Sequence, residues 1–156
     1  MQLTQLLAQN LYDVFDGNNW TDVNIVETLK NVNYKQAQQK TPASANTIAS
    51  LLNHLIYWNG IILKRMNGET PVIPDTNGFD VSNLNNDEDW NELREKAHQS
   101  FSTLSNAIKN FPEDRLFENY APSIPSTYYR NFQGIIEHAY YHLGQIVILK
   151  SFVTHN

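Results

Sequence analysis

Apolar residues recur every three or four positions along most of the chain, the spacing that places them on one face of an α-helix. The first such segment runs from about Leu3 to Phe15 and ends at the polar residues that follow. A shorter amphipathic segment begins near Thr21 and continues towards Val32. We therefore expect an N-terminal helix of ordinary length, followed by a short extra helix that packs on the rest.

Longer segments with the same spacing run from about Ile48 to Met66, from Trp90 to Ile108, and from an N-cap at Ser126 to about Phe152. The stretch from Glu69 to Asp87 contains two prolines and a glycine and has no sustained period, so it reads as a long connection. No strand pattern competes with the helical one. The prediction is an all-α fold: a four-helix bundle with a short extra N-terminal helix and a long crossover connection.

Composition narrows the class of protein. The chain has 156 residues, of which 41% are hydrophobic, enough for one domain over residues 1–156 with a real core. Its net charge is −5 and no basic run is interleaved with aromatic residues, so we expect no nucleic-acid partner. Cysteine is absent, which excludes disulfides, thiolate metal ligands and a protein thiol nucleophile.

The sequence also predicts that the protein does not enter a membrane. A signal peptide has a basic segment followed by an apolar one, and the first residues of this chain show no such pattern. No segment approaches the roughly 18 uninterrupted apolar residues of a membrane-spanning helix. We expect a cytoplasmic protein.

Two histidines replace apolar residues on the inward face of the last helix. At about 100° per residue, His138 and His142 share an arc of roughly 80° with Ile135, Ile146 and Leu149. A buried imidazole needs a hydrogen bond or a metal to offset its lost hydration. The spacing of four residues brings both rings within reach of one ion. A pair of hydrogen-bonded core histidines is the alternative.

His54 is the candidate for a third ligand. It lies beside Leu51 and Trp58 at the edge of an apolar stripe, from which a rotation of the helix would aim it into the core. The alternative is a partly exposed residue. Three neutral histidines around Zn²⁺, Ni²⁺ or Fe²⁺ would leave coordination positions open for water or substrate. His98, on a polar helical face, and His155, beside the terminus, stay outside this site.

The residues around His138 disfavour a zinc protease of the His-Glu helix type. Such an enzyme needs a glutamate directly after the first histidine as its general base. Ala139 occupies that position here, and Glu137 points about 100° away from His138.

Three passages carry a family resemblance. They are Gly17-Asn18-Asn19-Trp20 with Val26-Glu27-Thr28-Leu29, Asn53-His54-Leu55-Ile56-Tyr57-Trp58, and Gly134-Ile135-Ile136-Glu137-His138-Ala139-Tyr140-Tyr141-His142-Leu143-Gly144-Gln145-Ile146. In their order and motifs they resemble the DinB-like superfamily, which includes bacillithiol, mycothiol and glutathione S-transferase-like members.

The resemblance implies a four-helix bundle, often a homodimer, in which three histidines hold a divalent metal (Zn, Ni or Fe). By matching motifs the metal ligands are His54, His138 and His142. It also implies an open position for a low-molecular-weight thiol cosubstrate. Gln145 is either an ordinary polar neighbour or a residue that orients a ligand imidazole, and the sequence leaves both open. Tyr57, Tyr140 and Tyr141 would line a pocket or a dimer face.

The leading hypothesis is a metal-dependent DinB-like enzyme, a thiol S-transferase that conjugates a low-molecular-weight thiol to a small electrophile. One alternative is a metal-dependent hydrolase that uses metal-bound water. Another is a non-catalytic metal-binding stress-response bundle. A closed site without a pocket would favour that alternative. The superfamily is functionally mixed, so fold and ligands do not fix the reaction.

Overall fold

The structure, a computed structural model, describes residues 2–154. Within them the chain forms six α-helices, one 3-10 turn and two short strands. In chain order they are α1 Leu3–Asp16, α2 Ile25–Leu29, α3 Tyr34–Ala37, α4 Ile48–Met66, α5 Asp87–Lys109, the 3-10 turn Glu113–Arg115, β1 Asn119–Ala121, β2 Ile124–Thr127 and α6 Tyr128–Thr154. His155 lies outside the described residues.

The four long helices form a bundle around one hydrophobic core. Helices α1 and α4 each pack against both α5 and α6, so α1 lies opposite α4 and α5 lies opposite α6. Each helix buries most of its predicted apolar stripe, and among the fully enclosed side chains are Leu11, Leu55, Phe101, Phe132 and Ile146. The predicted all-α four-helix bundle is confirmed, and α4 and α6, which carry the three candidate histidines, are neighbours.

Helix α4 begins where its capping residues require. Thr47 Oγ1 accepts a hydrogen bond from the Ser50 amide, and Ser50 Oγ accepts one from the Thr47 amide. This reciprocal capping box satisfies two amides that the first turn leaves without helical partners. The cap fixes the register of α4 and so the turn on which His54 lies.

The second predicted helix is wrong in its bounds. It begins at Ile25, where Asn24 Oδ1 accepts from the Glu27 amide, and not near Thr21. Asp22 has φ +53°, a left-handed conformation that cannot continue a helix. Helix α2 ends at Leu29, and α3 starts from a new N-cap at Asn33. The predicted helix is therefore reduced to five residues, and α3, which follows it, is absent from the sequence prediction.

The hairpin before α6 is absent from the sequence prediction. Strands β1 and β2 pair antiparallel, with Ala121 opposite Ile124. Ser126, the predicted N-cap, lies in β2, and Thr127 is the residue whose Oγ1 accepts from the Arg130 amide. Strands of three and four residues carry too little alternation to be recognised, and the helix start moves by one position.

The long connection between α4 and α5 is confirmed over residues 67–86, which contain neither helix nor strand. It folds back along α4, where the Asn53 side-chain amide donates to the carbonyl oxygens of Gly78 and Asp80. No helix within residues 2–154 is long and apolar enough to cross a lipid bilayer.

Candidate metal centre

The packing of α4 against α6 brings His54, His138 and His142, here called the histidine cluster, together. The Nε2 atoms of His54 and His138 are 2.9 Å apart, and those of His142 and His138 are 3.1 Å apart. A metal bound to imidazole nitrogen at its usual distance, with octahedral or tetrahedral angles, separates its ligand atoms by about 2.9–3.4 Å. The cluster can therefore hold a divalent metal ion.

The cluster is enclosed by the bundle. His54 is 3% exposed and His142 is 5% exposed, whereas His138 is partly buried. The alternative that His54 is a partly exposed residue is therefore wrong. His98 lies on the exposed face of α5, as predicted, and takes no part in the cluster.

Hydrogen bonds at the outer nitrogens determine which nitrogen of two rings carries the proton. Nδ1 of His54 donates to the backbone oxygen of Asn77 at 2.5 Å, and Nδ1 of His142 donates to Oε1 of Gln145 at 2.7 Å. The Nε2 atom of each ring then has a free lone pair directed into the cluster. Metal-binding histidines usually have such partners at the second nitrogen.

His138 distinguishes a metal site from a cluster held by hydrogen bonds alone. Its Nδ1 atom is buried and has no hydrogen-bond partner among the described residues. Its Nε2 atom faces two neighbours that offer lone pairs, and one proton there can satisfy only one of them. A cation at the centre would accept all three lone pairs at once, so the donor set fits a metal better than it fits a proton.

Burial keeps the cluster neutral. It lowers the pKa of His138 to about 3, with further lowering from nearby His142 and His54. Burial also lowers the pKa of His54, which the bond to Asn77 partly opposes and the proximity of His142 reinforces. It lowers the pKa of His142 as well, against the effect of Gln145. All three rings are therefore neutral near pH 7, each with one nitrogen free of a proton, as metal binding requires.

A tight turn in the long connection holds His54 from outside. The Phe79 amide donates to the Thr76 oxygen at 2.9 Å, and the central residues Asn77 and Gly78 have φ of +50° and +76°. This is the arrangement of a type I′ turn, for which Asn-Gly is the preferred dipeptide. A Cβ on Gly78 would lie 2.5 Å from Cβ of Tyr57, so only glycine fits against α4.

Two further aromatic side chains, Phe79 and Trp58, pack against the cluster. The Phe79 ring stacks on His54 with centroids 3.8 Å apart and planes within 7°. Trp58 lies edge-on to His138 at 5.8 Å, and its Nε1 donates to Oδ1 of Asn77 at 3.1 Å. Sequence reasoning missed Asn77 and Phe79 as site residues. The signal that could have found them is the Asn-Gly pair at 77–78.

A cavity of about 300 Å³ between α4 and α6 reaches the cluster. His54 and His138 form one end of it, and Trp58, Ile62 and Ile135 line its middle. Among the residues that line it none is acidic.

The three tyrosines named from the sequence do not line this cavity. Tyr57 packs against the turn at Gly78, and Tyr140 lines a separate cavity. Tyr141 is 65% exposed, and its ring lies edge-on to that of His142 with centroids 4.9 Å apart.

Fold and site together define a four-helix bundle with a histidine cluster that can hold a metal. Comparison with family sequence models gives a match to the DinB superfamily over residues 19–146, a range that includes all three histidines. The chain therefore belongs to the DinB superfamily. No curated protein and no solved structure matched the chain.

Proposed function

We propose that this protein is a metal-dependent transferase that joins a low-molecular-weight thiol to a small electrophile. One divalent ion would be held by the Nε2 atoms of His54, His138 and His142. The observation that carries the proposal is the convergence of these three neutral nitrogens beside a cavity. Three imidazoles without a thiolate or carboxylate suit Zn²⁺, Ni²⁺ or Fe²⁺.

The residues of the cluster supply three ligands and leave room for a reactant. No aspartate or glutamate joins the three histidines within residues 2–154, so a bound ion would have coordination positions open towards the cavity. The ion would supply Lewis acidity there, lowering the pKa of a group that binds at the open position. Phe79 and Trp58 shield the cluster with apolar surface on either side.

The lining of the cavity favours a thiol over water as the nucleophile. Metal-assisted hydrolysis usually relies on a carboxylate or histidine that takes a proton from water, and the described lining offers neither beyond His54 and His138 themselves. A thiol with an ordinary pKa near 8.5 needs far less assistance. Because the chain has no cysteine, the sulfur must come from a cosubstrate.

The proposed transfer balances without an oxidant or reductant. The sulfur of the thiolate attacks an electrophilic carbon, a C–S bond forms, and the leaving group departs with its bonding electrons. The thiol proton passes to solvent.

The cavity beside His54 and His138 also argues against a purely structural metal site, which would be closed.

The test is conjugation of 1-chloro-2,4-dinitrobenzene by the metal-loaded protein with a panel of thiols. We expect product formation that depends on thiol concentration and falls by more than about 100-fold in His142→Ala, since loss of a ligand exceeds the effect of losing a ligand's partner. His98→Ala is the matched control and should keep full activity. Turnover of an ester substrate that ignores added thiol would instead support the hydrolase.

A further inference from the structure

The end of the cavity farthest from the histidine cluster carries two arginines. Arg65 comes from the last turn of α4 and Arg130 from the first turn of α6. Asn131 and Ser126 lie beside them, and no acidic side chain lines this end. We call these four residues the arginine end of the cavity. It is a positively charged surface on a protein whose net charge is −5.

Arg65 is held in place with most of its donors unused. Its guanidinium carbon lies 5.6 Å from the Trp58 ring centroid and 5.3 Å from that of Tyr120. Nη1 donates to Oδ1 of Asn131 at 2.9 Å, while Nε is buried without a partner among the described residues. A buried donor without an acceptor is costly, and the described residues leave the hydrogen-bonding capacity of Arg65 only partly satisfied.

Neither arginine has a protein counter-ion. The ion pairs within residues 2–154 are Lys30 with Glu27 and Arg115 with Glu118, and none of these four residues lines the cavity. Arg130 is exposed and its side chain is available to a ligand. Guanidinium groups bind carboxylates through paired charged hydrogen bonds, which makes arginine the residue of choice for that group.

One face of α6 connects the two ends of the cavity. Arg130, Gly134 and His138 follow one another at four-residue spacing, which places them in a row along the helix. From His138 to Arg130 the helix rises about 12 Å. Gly134, between them, leaves the row open, because a Cβ there would meet nothing within 4 Å.

We propose that the arginine end binds a carboxylate of the small molecule whose other end reaches the histidine cluster. This inference rests on the proposed function, because it assigns a chemical class to a reactant of the same site. The carboxylate belongs either to the thiol or to the electrophile. The chemistry at the arginines is the same in both cases, and two arms of one experiment separate them.

In the first arm the Co²⁺-loaded protein is titrated with 6-mercaptohexanoate and with 6-mercapto-1-hexanol, following the sulfur-to-cobalt charge-transfer absorption. In the second arm hexanoate and hexanamide are compared by calorimetry with 2-mercaptoethanol present. We expect the acid to bind at least tenfold more tightly than its neutral partner in one arm, the worth of a charged hydrogen bond. The arm that shows the preference identifies the reactant that carries the carboxylate.

Arg130→Gln should weaken that preference, because only Arg65 then remains to bind the carboxylate, and the affinity for the neutral ligand should not change. Lys64→Gln, the control, removes the same charge from the neighbour of Arg65 at an exposed position outside the cavity lining. It should keep the preference. Because Arg130 is exposed, its replacement leaves the packing of the bundle intact. Equal binding of acid and neutral ligand in both arms, or a preference as large in Arg130→Gln as in the wild type, would overturn the proposal.

The two proposals fail in different ways. Absence of the charge-transfer absorption with either thiol, together with tighter binding of hexanoate, would reject the thiol function and keep the anion site. Gly134→Phe is a second variant, whose ring would fill the space between the two ends of the cavity. Glycine is a poor helix former, so the replacement does not lower the helix propensity at this position. It should block 6-mercaptohexanoate while sparing 2-mercaptoethanol. Unchanged affinity for 6-mercaptohexanoate would contradict the assigned path.

Discussion

The proton on the outer nitrogen of His142 determines what its inner nitrogen can do. Because Nδ1 donates to Oε1 of Gln145, Nε2 presents a lone pair to the cluster, and the ring cannot rotate without losing that bond. His54 is fixed in the same way by the backbone oxygen of Asn77. His138 has no such partner, so its orientation depends on the packing around it.

Gln145→Leu removes the acceptor for His142 while keeping a side chain of similar size. We expect the affinity for Zn²⁺ to fall by about 10–100-fold, the usual effect of losing the hydrogen-bond partner of a metal-binding histidine. Competition with a chromophoric chelator measures it. The control is Gln133→Leu on the same helix, where the side chain bonds only to Glu137 at the surface and the affinity should not change. Equal affinities in the two variants would contradict the assigned role.

The lowered pKa values predict how the metal-free protein responds to acid. Below the ordinary histidine pKa of about 6.5, the unfolded chain binds protons that the buried rings refuse, so the free energy of unfolding falls as pH falls. For His138 the loss continues towards its folded pKa of about 3. Urea unfolding of the chelator-treated protein at pH 7.5 and pH 5 measures the change. His138→Leu should weaken this dependence, and equal stability of the wild type at both pH values would refute it.

For individual residues, the sequence predicts that His138 and His142 lie together on α6, but it does not predict the surroundings of His54. The four-residue spacing of His138 and His142 places them on one face through helix geometry alone, which is local. The burial of His54 depends on how α4 rotates against α6. Its partner Asn77 lies 23 residues farther along the chain, in a segment without periodicity.

Among the elements, the turn at residues 76–79 is the part of the long connection that the histidine cluster depends on. It supplies the acceptor for His54 and the ring of Phe79 that stacks on it. The turn exists because Asn77 and Gly78 tolerate positive φ, and it approaches α4 closely because Gly78 has no side chain. The shape of this turn therefore positions a candidate metal ligand.

Gly78→Ala tests that dependence. Its Cβ would meet Tyr57, so the turn must move away from α4, and we expect a loss of about 1–3 kcal/mol in stability and at least tenfold in Zn²⁺ affinity. Gly68→Ala is the matched control: φ is +78°, but the nearest atom to its Cβ is 3.6 Å away. That variant carries the backbone strain without the steric clash, so its metal affinity should stay intact. Equal losses of Zn²⁺ affinity in the two variants would show that the turn does not position the metal ligand.

The elements that sequence reasoning recovers are those with enough residues to show a period. Helices α1, α4, α5 and α6 are long enough to repeat their apolar stripe several times. The strands of the hairpin are too short to do so, and so are α2 and α3, which begin from caps at Asn24 and Asn33. Their positions follow from side-chain hydrogen bonds, which periodicity does not register.

At the level of the whole molecule, the bundle places three polar rings inside a hydrophobic core. Burying them costs stability, because the rings lose their hydration and Nδ1 of His138 gains no hydrogen bond in its place among the described residues. A metal that binds only the folded chain would recover that stability, so metal binding and folding are coupled. The homodimer and the cytoplasmic location stay predictions, for which sedimentation equilibrium and cell fractionation are the measurements.

The central claim is that one divalent ion is held by the histidine cluster, and metal analysis of the purified protein tests it most directly. Inductively coupled plasma mass spectrometry should find about one Zn²⁺, Ni²⁺ or Fe²⁺ per chain in the wild type and in His98→Ala. His142→Ala should contain little or none, while keeping the helical circular dichroism of the bundle. A metal content in His142→Ala equal to that of the wild type would contradict the account.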